Sequence, residues 1–432
     1  MAIPSAALET RTVPAAAIGT AAVVAPDNEC RYAAAIARQG WRPIAVDLDH
    51  RLRPSPLTAP HAPGPYAHRL EHAGSLERTV KSLRVLAVSA VVAGSAEGIP
   101  LAEGIARQLH LPGPDPATSI LRYDRGAQAT ALEQAGLPAV RSVRTTSLAE
   151  ALTWAEKHHL SSYVLAPAAA AVPVESVVCE HVLQIRAAWP GLKREAARHS
   201  GDDHLVLAEH LPGRRYLVNS VTRSVNGQAD HVVTDVWAET RTSNGRLART
   251  DLLRRQQLLT RALHMYVHRA LDALGVVCGP AISRIGYAAG RGPVLISAVT
   301  LPATSAADRA LREAIGHDRF ATALEAAIPR ATAQLIPAPT GHRVTRIHLH
   351  PRHSGRIDPW TARVLREMPT VAAVSPDLQA IAAAAPPTGT EVVLSSHESH
   401  AIEGDYRIIR ALEHACLYLP DVDVPHPFER LT

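Results

Sequence analysis

The chain has 432 residues, 47% of them apolar and 4% aromatic, with a formal net charge of +5 at pH 7. That length carries two or three domains with large cores, and so small a charge, with no block of consecutive Lys and Arg, speaks against a nucleic-acid partner. Cys30, Cys179, Cys278 and Cys416 are scattered and form no C-x-x-C pair, and no apolar run is long enough to span a bilayer; these features argue against a thiolate zinc site and a membrane anchor, and for a cytoplasmic protein.

Residues 1–15 are rich in Ala, Pro and Thr and predict a loose N-terminus. From 16 to 121 the pattern is that of a parallel α/β domain. Thr20–Ala25 and Arg42–Asp47 read as buried strands on either side of a helix over Glu29–Gly40, with Gly40 as its stop. Residues 51–66 are crowded with Pro and His and predict a loop. Val85–Gly94 reads as another buried strand, followed by a tight turn at Ser95–Gly98 and a helix over Pro100–Leu109 with Pro in its first position. The breaker Leu111-Pro-Gly-Pro-Asp-Pro116 closes this unit.

A small central lobe is expected over 122–206. Ala117–Gly136 leads into it as a helix, Ala139–Thr145 and Ser162–Ala166 read as strands, Ser147–His159 as a helix capped by Ser147, and Glu180–Trp189 as a further helix. The remainder, 207–432, is expected to be a large α+β lobe. Leu205–Leu211, Arg214–Arg223 and His231–Trp237 alternate or run apolar, with β-branched residues between Gly-containing turns, and read as antiparallel strands. Leu252–Leu274 reads as a helix, and Gly279–Arg284 and Val294–Pro302 continue the stretch. Beyond it, Ala306–Glu313, Arg319–Ala327 and Ile402–Tyr418 read as helices, and Ala331–Ile336 and Arg343–His350 as strands.

Several local runs, in a shared order, carry a resemblance. They are Val91-Val-Ala-Gly-Ser-Ala-Glu-Gly98, Arg122-Tyr-Asp-Arg125 with Ala135-Gly-Leu-Pro138, Val218-Asn-Ser-Val-Thr-Arg223, Val233-Thr-Asp-Val-Trp237, Leu271–Pro280 and Asp405–Arg410. Together they are similar to the L-amino-acid (dipeptide) ligase branch of the ATP-grasp superfamily, over roughly residues 20–420. The resemblance implies an N-terminal α/β domain, a central lobe and a large C-terminal lobe, with a nucleotide held between the last two, often in a homodimer. It also implies acyl-phosphate chemistry, in which a protein works by positioning and by stabilising charge.

The positions where that chemistry would sit depart from the family pattern. The first lysine position holds Arg125, which keeps the charge but changes the reach. The second falls at Ala166, and the loop after it, Pro167-Ala-Ala-Ala-Ala-Val-Pro173, lacks the glycines that let backbone N–H groups wrap a phosphate. The two magnesium glutamates fall at Arg284 and Ser297, and the arginine after them at Leu301; Asn219 stands where an aspartate is common. Magnesium needs carboxylate oxygens, which neither Arg nor Ser offers. Leu205–Leu211 resembles the hinge that holds adenine and ribose, with Glu209 as its acidic residue or, equally, a solvated strand-end charge.

The expectation is therefore an altered ATP-grasp protein that requires no cofactor, neither ATP nor magnesium. Its cleft would be reshaped to bind, and to transform without ATP, a small amino-acid-like or carboxylated metabolite of a natural-product pathway. The alternatives are a ligase with a shifted site and a non-catalytic partner of another enzyme. Arg215, Asn219, Arg223, Trp237, Arg284 and Ser297 are the expected cleft residues, with Arg215, Arg223 and Arg284 as a cationic pocket and, against that, three solvated arginines. Acid–base work would fall to Glu209, His231, Asp235 or Glu239. Twenty-three histidines raise a metal site, best at His348, His350 and His353 or at His397 and His400; scattered surface histidines are the stronger reading, and no metal is expected.

Overall fold

The structure, a computed structural model, describes residues 17–418 except 28, 50–64, 172–175, 243–244, 255–256, 289, 306, 329–340, 351–357, 376–389 and 416. The strand expected at Ala331–Ile336, His353 and the loose N-terminus lie outside the described residues. Three sheets organise the rest.

The first sheet is parallel, in the order β3-β2-β1-β4, built from β1 (Thr20–Val24), β2 (Arg42–Leu48), β3 (His68–His72) and β4 (Ala90–Ala93). All five residues of β1 are buried, as a strand covered on both faces requires. α2 (Leu76–Val85) and α3 (Ile99–Gln108) cover one face, α1 (Arg31–Arg38) the other. Gly98 lets the start of α3 touch β1, because a Cβ there would stand 2.5 Å from the Val24 carbonyl oxygen. Val85 is the exposed last residue of α2 rather than the start of a strand. Thr79, Val80 and Leu83 bury one side of that helix, and Ser75 caps it.

The second sheet is antiparallel, in the order β5-β8-β6-β7, from β5 (Ser142–Thr145), β6 (Tyr163–Pro167), β7 (Val177–Cys179) and β8 (Leu205–Glu209). α5 (Leu148–His158) and α6 (Val182–Ser200) pack on it. The helix expected to end at Trp189 runs through Pro190 to Ser200. The helix expected from Ala117 breaks at Tyr123, and α4 (Arg125–Gln134) restarts under an Asp124 cap that accepts the Ala127 N–H at 2.9 Å.

The third sheet has eight strands in the order β13-β12-β9-β10-β11-β14-β16-β15. They are β9 (Arg215–Val225), β10 (Gln228–Arg241), β11 (Leu247–Leu252), β12 (Gly279–Ala288), β13 (Gly292–Val299), β14 (Arg343–Leu349), β15 (Val371–Ser375) and β16 (Thr390–Ser396). The Asn226-Gly227 turn, with φ of 53° and 79°, joins β9 to β10, the hairpin type that suits the strand twist. Tyr216, Val218, Val236, Ala238, Ala281, Ile285 and Leu295 face α7 (Leu258–Ala273) on one side. The other face receives α8 (Asp308–Ile315), and α9 (Arg319–Ala327) lies between it and the first sheet. A β-bulge between Val233 and Asp235 resets the alternation, so Asp235, Trp237 and Glu239 leave the α7 face while His231 stays on it. Among the described residues no helix is long and apolar enough to cross a membrane.

Candidate ligand cleft

Glu239 is the centre of the cleft side of the third sheet. It lies opposite Arg215 in the β9–β10 register, and its side chain is 2% exposed. Arg241 donates to Oε2 at 2.9 Å and Arg284, from β12, to Oε1 at 3.3 Å. Burial pushes its pKa up, but the charges of Arg284 and Arg241 outweigh this and hold the carboxyl below its usual range. The Arg215 side chain makes no hydrogen bond among the described residues. Burial lowers its pKa, and the neighbouring Arg241 charge lowers it further. Arg284 pairs in register with Ser297 of β13, and its charge also reaches Arg125. Three arginines thus surround one carboxylate, with a fourth beside them.

Arg125 opens α4 and turns its guanidinium under the loop after β6. It donates to the carbonyls of Pro167, Ala169 (2.8 Å) and Ala170 (3.1 Å). Burial, with Arg284 adding to it, brings its pKa down to about 10. Arg125 therefore fastens the loop. Ala166, on β6, is buried opposite Val206 and brings no charge.

Glu209 ends β8, where the second and third sheets meet over Val140, Leu211 and Val294. It accepts five N–H groups: the Arg141 backbone at 3.0 Å, the Arg141 side chain at 2.9 and 3.1 Å, and Arg291 at 2.7 and 2.9 Å. Burial raises its pKa, but the hydrogen bonds from Arg291 and Arg141 leave it below the usual range. Arg291, in the β12–β13 turn, joins the two sheets through this carboxylate.

No known protein family matches the sequence, and no curated protein matches it. Solved structures do match the fold. The chain is similar to the L-amino acid ligase from Bacillus licheniformis at 14% identity and a TM-score of 0.68, over 91% of this chain and 97% of that one. It is similar to N5-carboxyaminoimidazole ribonucleotide synthetase in its ADP complex at 14% identity and a TM-score of 0.65, over 94% and 99%. It is also similar to the biotin carboxylase domain of the Hydrogenobacter thermophilus 2-oxoglutarate carboxylase, in complex with MgADP and bicarbonate, at 13% identity and a TM-score of 0.60, over 91% and 89%. The chain has the ATP-grasp fold.

The expectation that no cofactor is required is corrected here. ATP-grasp structures of this shape hold ADP and MgADP, so changed side chains in the cleft do not exclude a nucleotide. The residues fit a polyphosphate, since Arg215 has donors to give beside Arg241 and Arg284. They do not fit a magnesium ion held by two glutamates. Among the described residues, the carboxylates on this side of the sheet are Asp230, Asp235, Glu239 and Glu391, each already accepting from arginine.

Other expected residues divide between the cleft and elsewhere. Asp235 accepts from Asn219 at 2.5 Å, Thr234 at 2.8 Å, Arg319 at 2.7 Å and the Trp237 indole. Burial raises its pKa, and the Arg319 charge, with His317 adding to it, holds it well below the usual range. It and the fully buried Trp237 are core rather than open cleft. His231 is corrected by the bulge: it contacts Thr222 at 2.7 Å and Asp272 of α7 at 3.0 Å, on the opposite face. Arg223 is corrected too, since it lies eight positions along β9 from Arg215 and pairs with Asp230 at 2.8 Å. Leu301 lies beyond β13, beside Asn219 and Arg319. His348 faces Glu391 in register, whereas His350 ends on the Leu247 carbonyl at 2.7 Å, so the nitrogen facing that oxygen carries a proton rather than a free lone pair. His397 packs at a tilt against His342, and His400 pairs with Glu398 at the surface.

Sequence reasoning missed Arg141, Arg241, Arg291 and Arg319. Only Arg241 had a visible signal, two positions from Glu239 on one strand.

Proposed function

We propose that this chain is an ATP-grasp protein with an altered catalytic set, whose cleft binds a nucleotide and, beside its phosphates, a small amino-acid-like or carboxylated metabolite of a biosynthetic pathway. One observation carries the reading: the Arg215 guanidinium makes no hydrogen bond among the described residues, yet stands with Arg241 and Arg284 around a single buried carboxylate. A guanidinium fork suits phosphate and carboxylate oxygens, and three forks on one Glu leave a net positive site. Magnesium entering with the nucleotide would be coordinated by the phosphates and water. The test is thermal unfolding with ADP and with MgADP, on the natural chain and on Arg215→Ala. Either ligand at a hundred times its dissociation constant should stabilise the natural chain by about 2.7 kcal/mol, and Arg215→Ala should lose most of that shift. No shift with either ligand overturns the reading. ADP release from MgATP that depends on an amino acid would instead establish a ligase with a shifted site.

A further inference from the structure

A nucleotide brings a base and a sugar as well as phosphates, and the second sheet is what would meet them. One face of that sheet is covered by α5 and α6, which pack on Tyr163, Leu165, Cys179, Leu205 and Leu207. On the other face Ala208 packs with Val294 of the third sheet. Val164, Ala166, Val178 and Val206 share that face with Ala208, paired in register across β6, β7 and β8. It has two polar residues, Ser142 and Arg144, both on the flanking strand β5. Arg144 is taken by Asp124 at 2.8 Å and Asp202 at 3.2 Å.

The hydrogen-bonding groups at the end of β8 are engaged as well. The Glu209 side chain, 5% exposed, accepts its five N–H groups from Arg141 and Arg291, which fills the roughly four lone-pair sites of a carboxylate. The backbone N–H of Glu209 goes to the Arg141 carbonyl at 2.9 Å, and that of His210 to the Ser162 carbonyl at 3.2 Å. The His210 ring meets the Ser162 hydroxyl at 3.1 Å. A ribose hydroxyl finds no open oxygen on Glu209, and a base edge finds these N–H groups already spent. Arg215 is the opposite case: its guanidinium makes no hydrogen bond among the described residues and stands beside the charges of Arg241 and Arg284.

We infer that the cleft takes pyrophosphate esters as a class, holding the phosphates and accepting any base and sugar attached to them. This rests on the nucleotide reading above and narrows it. A site built to hydrogen-bond one group rejects an analogue lacking it by about ten-thousandfold or more. Methyl groups touch the flat face of any base and cannot read the donors and acceptors along its edge. Charge and the guanidinium fork act on the phosphate oxygens, which every such ester shares.

The experiment is calorimetric titration of the full chain, at one ionic strength, with ADP, GDP, 2′-deoxyadenosine diphosphate, inorganic pyrophosphate and adenosine. The three nucleotides should bind within about threefold of one another, less than one typical hydrogen bond contributes. Pyrophosphate should bind saturably, and adenosine should give no saturable heat at millimolar concentration. Arg215→Ala should weaken the phosphate ligands by a common factor; if that variant does not fold, the titrations of the natural chain decide alone. A preference of about tenfold or more for ADP over GDP or over the deoxy analogue overturns the inference and leaves the nucleotide reading standing. So does saturable adenosine binding, a silent pyrophosphate titration beside a positive ADP one, or a loss in Arg215→Ala confined to one ligand. Silence with every ligand overturns the nucleotide reading itself, and this inference with it.

Discussion

Asp235 and Glu239 lie four residues apart on β10, leave the sheet on the same face and are each 5% exposed. Both accept from arginine, and burial and opposite charge act on both in the same directions. Their surroundings differ in one respect. Asp235 meets one arginine, one histidine, an indole, an amide and a hydroxyl, so its charge is matched and its oxygens are filled. Glu239 meets three arginines whose combined charge exceeds its own, two of them bonding to it while the third is left over. A matched charge fixes a fold, and an unmatched one leaves attraction for a ligand. The largest effect expected from this contrast is on stability. Arg319→Met strands Asp235 in the interior beneath Trp237, which Arg319 also covers at 5.8 Å, and should cost about 3–5 kcal/mol, read as a lower urea midpoint with an unchanged slope.

The contrast was partly legible in the residues. Alternation in Arg214–Arg223 and His231–Trp237, with Asn226-Gly227 between them, announces the hairpin, and that hairpin carries both carboxylates. The bulge at Val233 and Asp235 has no such mark, and even spacing alone puts His231 on the face of Asp235. The partners are harder still. Arg319 comes from 84 residues beyond Asp235, and Arg291 from 82 beyond Glu209, distances across which no local pattern acts. Helix α2 was missed for a different reason: only Thr79, Val80 and Leu83 of its ten residues are buried, which leaves a faint apolar stripe.

Glu239→Gln tests the other side of the comparison. Its arginines reach solvent, with Arg241 28% and Arg284 36% exposed, so losing the charge should cost less than stranding Asp235, about 1.5–3 kcal/mol. ADP should bind roughly fivefold more tightly, because one repelling charge at such range is worth about 1 kcal/mol. Calorimetric titration reads the affinity. Weaker ADP binding in Glu239→Gln would place Glu239 among the groups that hold the ligand.

A smaller effect concerns pH. Burial holds the pKa of His348 below its ordinary value, with Arg346 and His350 adding to it, while Glu391 and Glu239 pull the other way. A base whose folded pKa is depressed leaves the unfolded chain binding more protons below about pH 6.5. Stability therefore falls as pH drops from about 6.5 toward the folded pKa. His72, His210 and His268 are lowered by burial as well, so His348→Leu should make the decline shallower by at most one proton, about 1.4 kcal/mol per pH unit, without abolishing it. The lowered carboxylates Glu209, Asp235 and Glu239 act in a lower window, since their contributions are lost only as pH falls below about 4. A slope unchanged by His348→Leu would mean that the imidazole titrates alike in both states.

The smallest expected effect is the sharpest control on the comparison. Arg223 has the same chemistry as Arg215 and the same strand, and even spacing places the two on one pocket. It instead stands at the hairpin end of β9, paired with Asp230 at 2.8 Å with both side chains partly in water. An exposed pair of this kind contributes at most about 1 kcal/mol. Arg223→Ala should therefore change the unfolding midpoint by no more than a few tenths of a kcal/mol and leave the ADP response intact, while Arg215→Ala removes it. Both variants delete one positive charge, so a general loss of charge would weaken ADP binding equally in each. Only a local site distinguishes them, and equal losses would replace the arginine cleft with a diffuse field over the whole face.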